Sequence, residues 1–241
     1  LLTRGGETVE EVIEFYYKGN HYKTTCTVIN DSIILYEDID IENLLIELDN
    51  KENLITFAYP DGTVEYFDDS NSFNAEKSRV FALSEEKEKW EVSIPKFSPR
   101  NVLDSPNVGP NREYIANLFL HDDTNYEDTM REFDLKKGQG KIEIPHLKPY
   151  GMNDKTTSFC AITMQNTKNL FELFEDDTYR SHCFAFLVTM GTNVGMNQGE
   201  MALHEAHGLF CCPNLKNIHV KGTKYSSWSD RITSIRITQQ Y

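Results

Sequence analysis

The chain has 241 residues, of which 39% are hydrophobic and 12% aromatic, enough for one large domain or two ordinary ones with a packed core. Its net charge is −14, with −11 of it in residues 1–100 and −3 in the rest. That acidic balance argues against nucleic acid, whose phosphates need basic partners, and the absence of any run of about 18 apolar residues argues against a helical membrane span.

Residues 1–97 read as strands more than helices. Val12–Tyr17 and 21–28 flank the turn tripeptide Lys18-Gly19-Asn20, which is a hairpin signal. Asn30-Asp31 makes a second turn before 32–36. Residues 54–59 and 63–67 flank Pro60-Asp61-Gly62, a strong turn. Asp40–Ile46 fits a strand or one to two helical turns, and Glu85–Glu91 a helical turn or a solvated hairpin. The expectation for 1–97 is an acidic, mostly antiparallel β domain of unassigned family. Residues 98–113 carry three prolines with Gly, Ser and Asn and read as a linker.

From Tyr114 the strand rhythm resumes. Strands are expected at 114–121, 130–135, 141–144, 158–164, 170–175, 183–188, 208–212, 218–220 and 232–238. Many short strands with frequent turns suggest a β-sandwich. Residues 189–207 interrupt the rhythm and read as a long loop with one or two helical turns.

Two polar hexapeptides stand out in this half: Asn153-Asp154-Lys155-Thr156-Thr157-Ser158 and Ser229-Asp230-Arg231-Ile232-Thr233-Ser234. Each precedes an apolar strand. Each also follows an acidic stretch with an aromatic, His121-Asp122-Asp123-Thr124-Asn125-Tyr126 and Phe174-Glu175-Asp176-Asp177-Thr178-Tyr179. The same order twice indicates an internal repeat, about 114–164 and 170–241. Short oxygen-bearing side chains beside exposed carbonyls suit a hard cation such as calcium, and the same residues also serve as plain turn chemistry.

These paired signatures resemble the Greek-key motifs of the βγ-crystallin family over residues 114–241. The resemblance implies an all-β chain whose C-terminal part is a double Greek-key sandwich, preceded by the β-rich domain. It also implies up to two calcium ions at one end of the sandwich. One site would combine the Lys155 carbonyl and Thr157 hydroxyl with the Glu175 loop. The other would combine the Arg231 carbonyl and Thr233 hydroxyl with the Asp122 loop. Asn153, Asp154 and Asp230 would orient these loops or ligate. The sequence departs from the family where Asp128 and Ser181 replace a glycine after the hairpin aromatic, where Ser229 opens the second signature, and in the insertion 189–207.

The remaining constellations are weaker. His204-Glu205-Ala206-His207 is not a zinc protease motif and reads as an exposed helical turn. Cys26, Cys160, Cys183, Cys211 and Cys212 are odd in number and lack CxxC spacing, so most are expected to be buried small hydrophobes, with disulfides open if the compartment oxidises. Nothing orients a base toward a thiol, so no enzyme is expected.

The resulting expectation is a calcium-binding structural protein of a dense assembly, partnered by itself or by other structural proteins. Its composition and architecture are similar to ciliate secretory-granule (mucocyst) content proteins, and the opening Leu1 fits loss of a preceding segment. The alternative is an intracellular scaffold or cytoskeletal binding module without functional calcium sites.

Overall fold

The computed structural model describes residues 8–29, 33–87, 113–124, 130–164, 167–189, 193–194, 207–212, 215 and 228–241. Strands β1 (Thr8–Tyr17) and β2 (Asn20–Ile29) form the expected hairpin. Its turn residues Lys18 and Gly19 both have positive φ, 50° and 77°, which matches the twist of a tight hairpin. β3 (Ile33–Tyr36) continues antiparallel to β2.

The ambiguous stretch after it is a helix, α1 (Ile39–Asp49). The Asp38 carboxylate caps it, accepting from the backbone N–H of Asp40 at 2.9 Å and of Ile41 at 3.2 Å. Helical spacing puts Ile41, Leu45 and Leu48 on one face, packed with Phe15, Tyr17 and Tyr66. β4 (Ile55–Ala58) and β5 (Val64–Phe67) follow as an antiparallel pair around Gly62, φ 86°.

The expectation of a mostly antiparallel β segment needs two corrections. First, Ser70–Lys87 is an 18-residue helix, α2. Its start is a reciprocal cap: Ser72 N–H donates to the Asp69 carboxylate at 2.8 Å, and Asp69 N–H donates to the Ser72 hydroxyl at 3.1 Å. Second, β1 lies parallel to β5. Of the stretch 85–91, residues 85–87 end α2 and the others lie outside the described residues, as do 98–112.

The remaining strands are β6 (Tyr114–His121), β7 (Met130–Lys136), β8 (Lys141–Ile144), β9 (Ser158–Met164), β10 (Lys168–Phe174), β11 (Cys183–Val188), β12 (Asn193–Val194), β13 (His207–Cys212) and β14 (Ser234–Gln240). The expected strand at 218–220 and the histidine turn at 204–206 lie outside the described residues, while His207 opens β13. The protein is mostly β, in two sheets. One has nine strands in the order β3-β2-β1-β5-β4-β11-β10-β14-β8; the other has five, β12-β13-β9-β6-β7. The two runs of the C-terminal half exchange strands between the sheets, the first giving β8 and the second giving β13 with the short β12 beside it. β8 leaves β6, β7 and β9 to pair with β14, and β13 leaves β10, β11 and β14 to pair with β9.

β11 also pairs in parallel with β4, Cys183 opposite Ile55, so both halves of the chain share one sheet. Alternation along the central strands decides what each face meets. Phe171, Leu173, Phe184, Phe186 and Val188 point into the sandwich. Leu170, Phe174, Cys183, Ala185 and Leu187 point the other way, under Phe73 and Val80 of α2. Every residue of β11 is therefore buried.

Phe186 is the hub of the sandwich core, with ring centroids 4.5 Å from Phe210, 5.0 Å from Phe159 and 5.3 Å from Phe171. A disulfide joins the directly opposed Cys160 and Cys211 of β9 and β13, and Cys26, Cys183 and Cys212 are free and buried. Among the described residues no helix is long and apolar enough to cross a membrane. Replacing Phe186 with Ala is expected to cost about 3–5 kcal/mol in urea unfolding, because three stacked rings lose their common partner.

Candidate metal centre

The two polar hexapeptides meet at one end of the sandwich and are built alike. In the first, Thr157 N–H donates to the His121 carbonyl at 2.9 Å, and Ser158 Oγ donates to the Asp123 carbonyl at 2.6 Å. In the second, Thr233 N–H donates to the Phe174 carbonyl at 2.9 Å, and Ser234 Oγ donates to the Asp176 carbonyl at 2.8 Å. Between these bonds, Thr157 Oγ1 lies 3.4 Å from the Asp122 carbonyl and Thr233 Oγ1 lies 3.0 Å from the Glu175 carbonyl. Each signature is thus stitched to the acidic hairpin of its own repeat.

The loops then hold each other. Asp154 and Asp230 occupy the second signature position and both have positive φ, 51° and 58°. That reversal, which Asp tolerates better than branched residues, turns each N–H toward the partner loop. Asp154 N–H donates to the Ile232 carbonyl at 3.2 Å, and Asp230 N–H donates to the Thr156 carbonyl at 3.0 Å. A second matched pair brackets them: Leu147 N–H to the Thr233 carbonyl at 2.7 Å, and Leu215 N–H to the Thr157 carbonyl at 2.8 Å.

This arrangement differs from the pairing carried over from the family resemblance. Thr157 sits on the Asp122 hairpin rather than the Glu175 hairpin, and Thr233 sits on the Glu175 hairpin rather than the Asp122 hairpin. The groups that cross between repeats are the aspartates. Asp230 Oδ1 reaches Thr157 Oγ1 at 3.2 Å, and Asp154 shares a cavity of about 440 Å³ with Thr233, Asp176 and Asp177. The physical reason is the positive φ, which turns each loop back toward its neighbour one residue after it starts.

The first centre gathers the Asp122 and Lys155 carbonyls, each 3.4 Å from Thr157 Oγ1, the Asp230 carboxylate, and Ser229 Oγ at 3.5 Å. One hydroxyl proton on Thr157 serves a single acceptor, so the cluster holds more oxygen lone pairs than protons. That excess of hard oxygens is chemistry a calcium ion satisfies. Among the described residues no group of three or more His, Cys, Asp or Glu side chains converges on one point, so the donors are carbonyls and hydroxyls with one carboxylate.

The second centre is more acidic and more open. Partial burial, followed by the charges of Asp177, Asp176 and Asp230, holds Asp154 above its ordinary carboxylate value, against a hydrogen bond donated by Asn153 at 2.5 Å. The Glu175 side chain is occupied: Oε1 accepts from Arg231 Nη1 at 2.8 Å, and Oε2 lies 3.2 Å from His182 Nδ1. Its contribution to the centre is the backbone carbonyl. Arg231 is thereby placed as a partner of Glu175. Sequence reasoning passed over Ser229, Asp176 and Asp177, whose signal was their place in the same two segments.

Ser181, which the family resemblance reads as replacing a glycine, has a φ of 63°. The hairpin therefore keeps the left-handed backbone without the residue that adopts it freely. Thr178 and Tyr179 are also positive, at 63° and 62°, and Tyr179 lies edge-on to Phe174 at 5.5 Å. The corresponding Asp128 lies outside the described residues.

Two outcomes are expected. Ser181→Gly removes left-handed strain and stabilises the fold by about 1 kcal/mol in chemical unfolding, since an L side chain in that region costs about that much. Without divalent cations, Asp154→Asn raises stability at neutral pH, where the native carboxylate is charged against its neighbours. A carboxyl whose native pKa is raised is disfavoured only when ionised, so the gain shrinks as the pH falls below the carboxylate range. Unfolding of both proteins as a function of pH measures this.

Comparison of the chain with models of known protein families, with curated proteins and with solved structures finds no match.

Proposed function

We propose that this protein is a non-enzymatic, calcium-binding structural component whose C-terminal half is a βγ-crystallin-like unit. The exchange of β8 and β13 between the two sheets supports that fold reading, because it interlocks the run β6–β9 with the run β10–β14, as intertwined Greek keys would. The observation that carries the function is the duplicated oxygen cluster. Two loops with matched backbone bonds each set a threonine hydroxyl on a hairpin carbonyl beside a carboxylate from the other repeat.

Asp122, Lys155, Thr157 and Asp230 would hold one ion; Glu175, Thr233 and Asp154 would hold the other, with Asn153 orienting Asp154. A bound divalent ion supplies positive charge where acidic hairpins approach each other. At about 100-fold above Kd, each ion adds roughly 2.7 kcal/mol to folding stability by mass action. Neutralising part of a −14 chain also favours close packing of copies, as in the matrix of a secretory granule.

One observation favours the rival, an intracellular scaffold without functional calcium sites. The hydroxyls of Thr233, Ser158 and Ser234 already donate to hairpin carbonyls, which closes the loops without an ion. Calcium titration of thermal unfolding separates the two readings. The calcium reading expects millimolar calcium to raise Tm by several degrees, with the rise reduced in Thr157→Arg or Thr233→Arg and lost in the double variant. No response of the wild-type chain would leave the scaffold.

A further inference from the structure

We propose that the cleft between α2 and the outer face of the nine-stranded sheet binds a small oxyanion, a phosphate or carboxylate group, through Lys77, Arg236 and Lys141. This inference does not rest on the calcium reading. The cleft has a volume of about 220 Å³, with Ile55, Phe73 and Leu170 forming its apolar floor. That space suits a single anionic group; drug-sized ligands and cofactors occupy larger pockets.

Its polar lining is rich in donors. Among the described residues the carboxylate in the lining is Glu172, which is buried, and Arg236 occupies both its oxygens, Nε at 2.6 Å from Oε2 and Nη2 at 2.7 Å from Oε1. Arg236 Nη1 makes a longer ion pair with Glu143, at 3.8 Å. Lys141 belongs to the same wall and lies 3.1 Å from Glu143. Lys77, half-buried on α2, makes no ion pair among the described residues; its ammonium stands 5.3 Å from the centre of the Phe81 ring.

The side chains of Ser70, Asn74 and Thr238 also line the cleft and make no hydrogen bond among the described residues. Three cations thus stand beside two carboxylates, Glu172 and Glu143, inside a strongly acidic chain, and Lys77 is the cation that neither carboxylate pairs with among the described residues. Burial lowers the Lys77 pKa, Arg236 adds to the lowering, and Glu172 opposes it. An anion between Lys77 and Arg236 reverses that penalty and supplies an acceptor for the spare donors. It also ties α2, from the N-terminal half, to β14 at the far end of the chain.

The test is calorimetry on the full chain in metal-free buffer at constant ionic strength, with inorganic phosphate in one arm and acetate in the other. Saturable binding of either anion in the millimolar range or tighter is expected. Phosphate preference assigns a phosphoryl ligand, and acetate preference assigns a carboxylate. Lys77→Met keeps the methylene packing and is expected to weaken binding by about tenfold or more, the loss of one charge-assisted hydrogen bond. Lys77→Arg retains binding, and the exposed Lys141→Gln weakens it less. Circular dichroism checks that each variant is folded. The proposal is overturned if neither anion binds the wild-type chain, or if Lys77→Met binds as well as wild type.

Discussion

The candidate centre depends on two backbone hydrogen bonds that cross between loops. Asp154 N–H reaches the Ile232 carbonyl and Asp230 N–H reaches the Thr156 carbonyl, and each bond requires a left-handed aspartate. Each loop supplies the carbonyl that accepts from its neighbour's left-handed aspartate. The carboxylates carried by those same residues are then delivered to the opposite hairpin. Backbone geometry and ligand chemistry therefore come from one residue in each repeat. An ion at either centre would strengthen a contact between repeats that the chain has already made.

A second constraint acts behind the loops. The strands that carry the second hairpin, β10 and β11, are covered on both faces, by the sandwich interior on one side and by α2 on the other. The buried carboxylate of this layer, Glu172, is paired with Arg236, whose guanidinium also stands over the Phe174 and Tyr179 rings. The aromatic that folds the second hairpin and the cation that lines the cleft therefore touch. The acidic end of the sandwich and its outer face are neighbours along β14, a few residues apart.

The C-terminal strands were legible because they are short, mostly apolar runs bounded by turn residues. Residues 114–121, 141–144, 158–164 and 183–188 emerge with the bounds read from sequence. The hexapeptides were legible as oxygen-rich loops because the same order of residues occurs twice. Which hairpin each would serve was not, since a positive φ at Asp154 and Asp230 leaves no compositional mark. Helix α2 was missed for a related reason. Its buried face is only Phe73, Val80 and Ser84, and its start signal is an Asp–Ser pair rather than the usual Ser–Glu. A helix with so little apolar surface is held by what it lies on, and that surface combines the neighbouring β4 and β5 with β10 and β11 from far along the chain. The parallel pairing of β1 with β5 and of β4 with β11 was illegible because parallel neighbours share no turn.

The β4–β11 seam has a consequence for how the molecule is made. Its partners, Ile55 and Cys183, are separated by roughly 130 residues, and closing so long a loop is among the slow steps of folding. During synthesis β4 emerges long before the strand that will cover its open side. Until then it offers a bare row of amides and carbonyls flanked by Phe57 and Tyr59, a template for adhesion to any passing extended segment. Shielding that edge until the last third of the chain leaves the ribosome would suppress such adhesion.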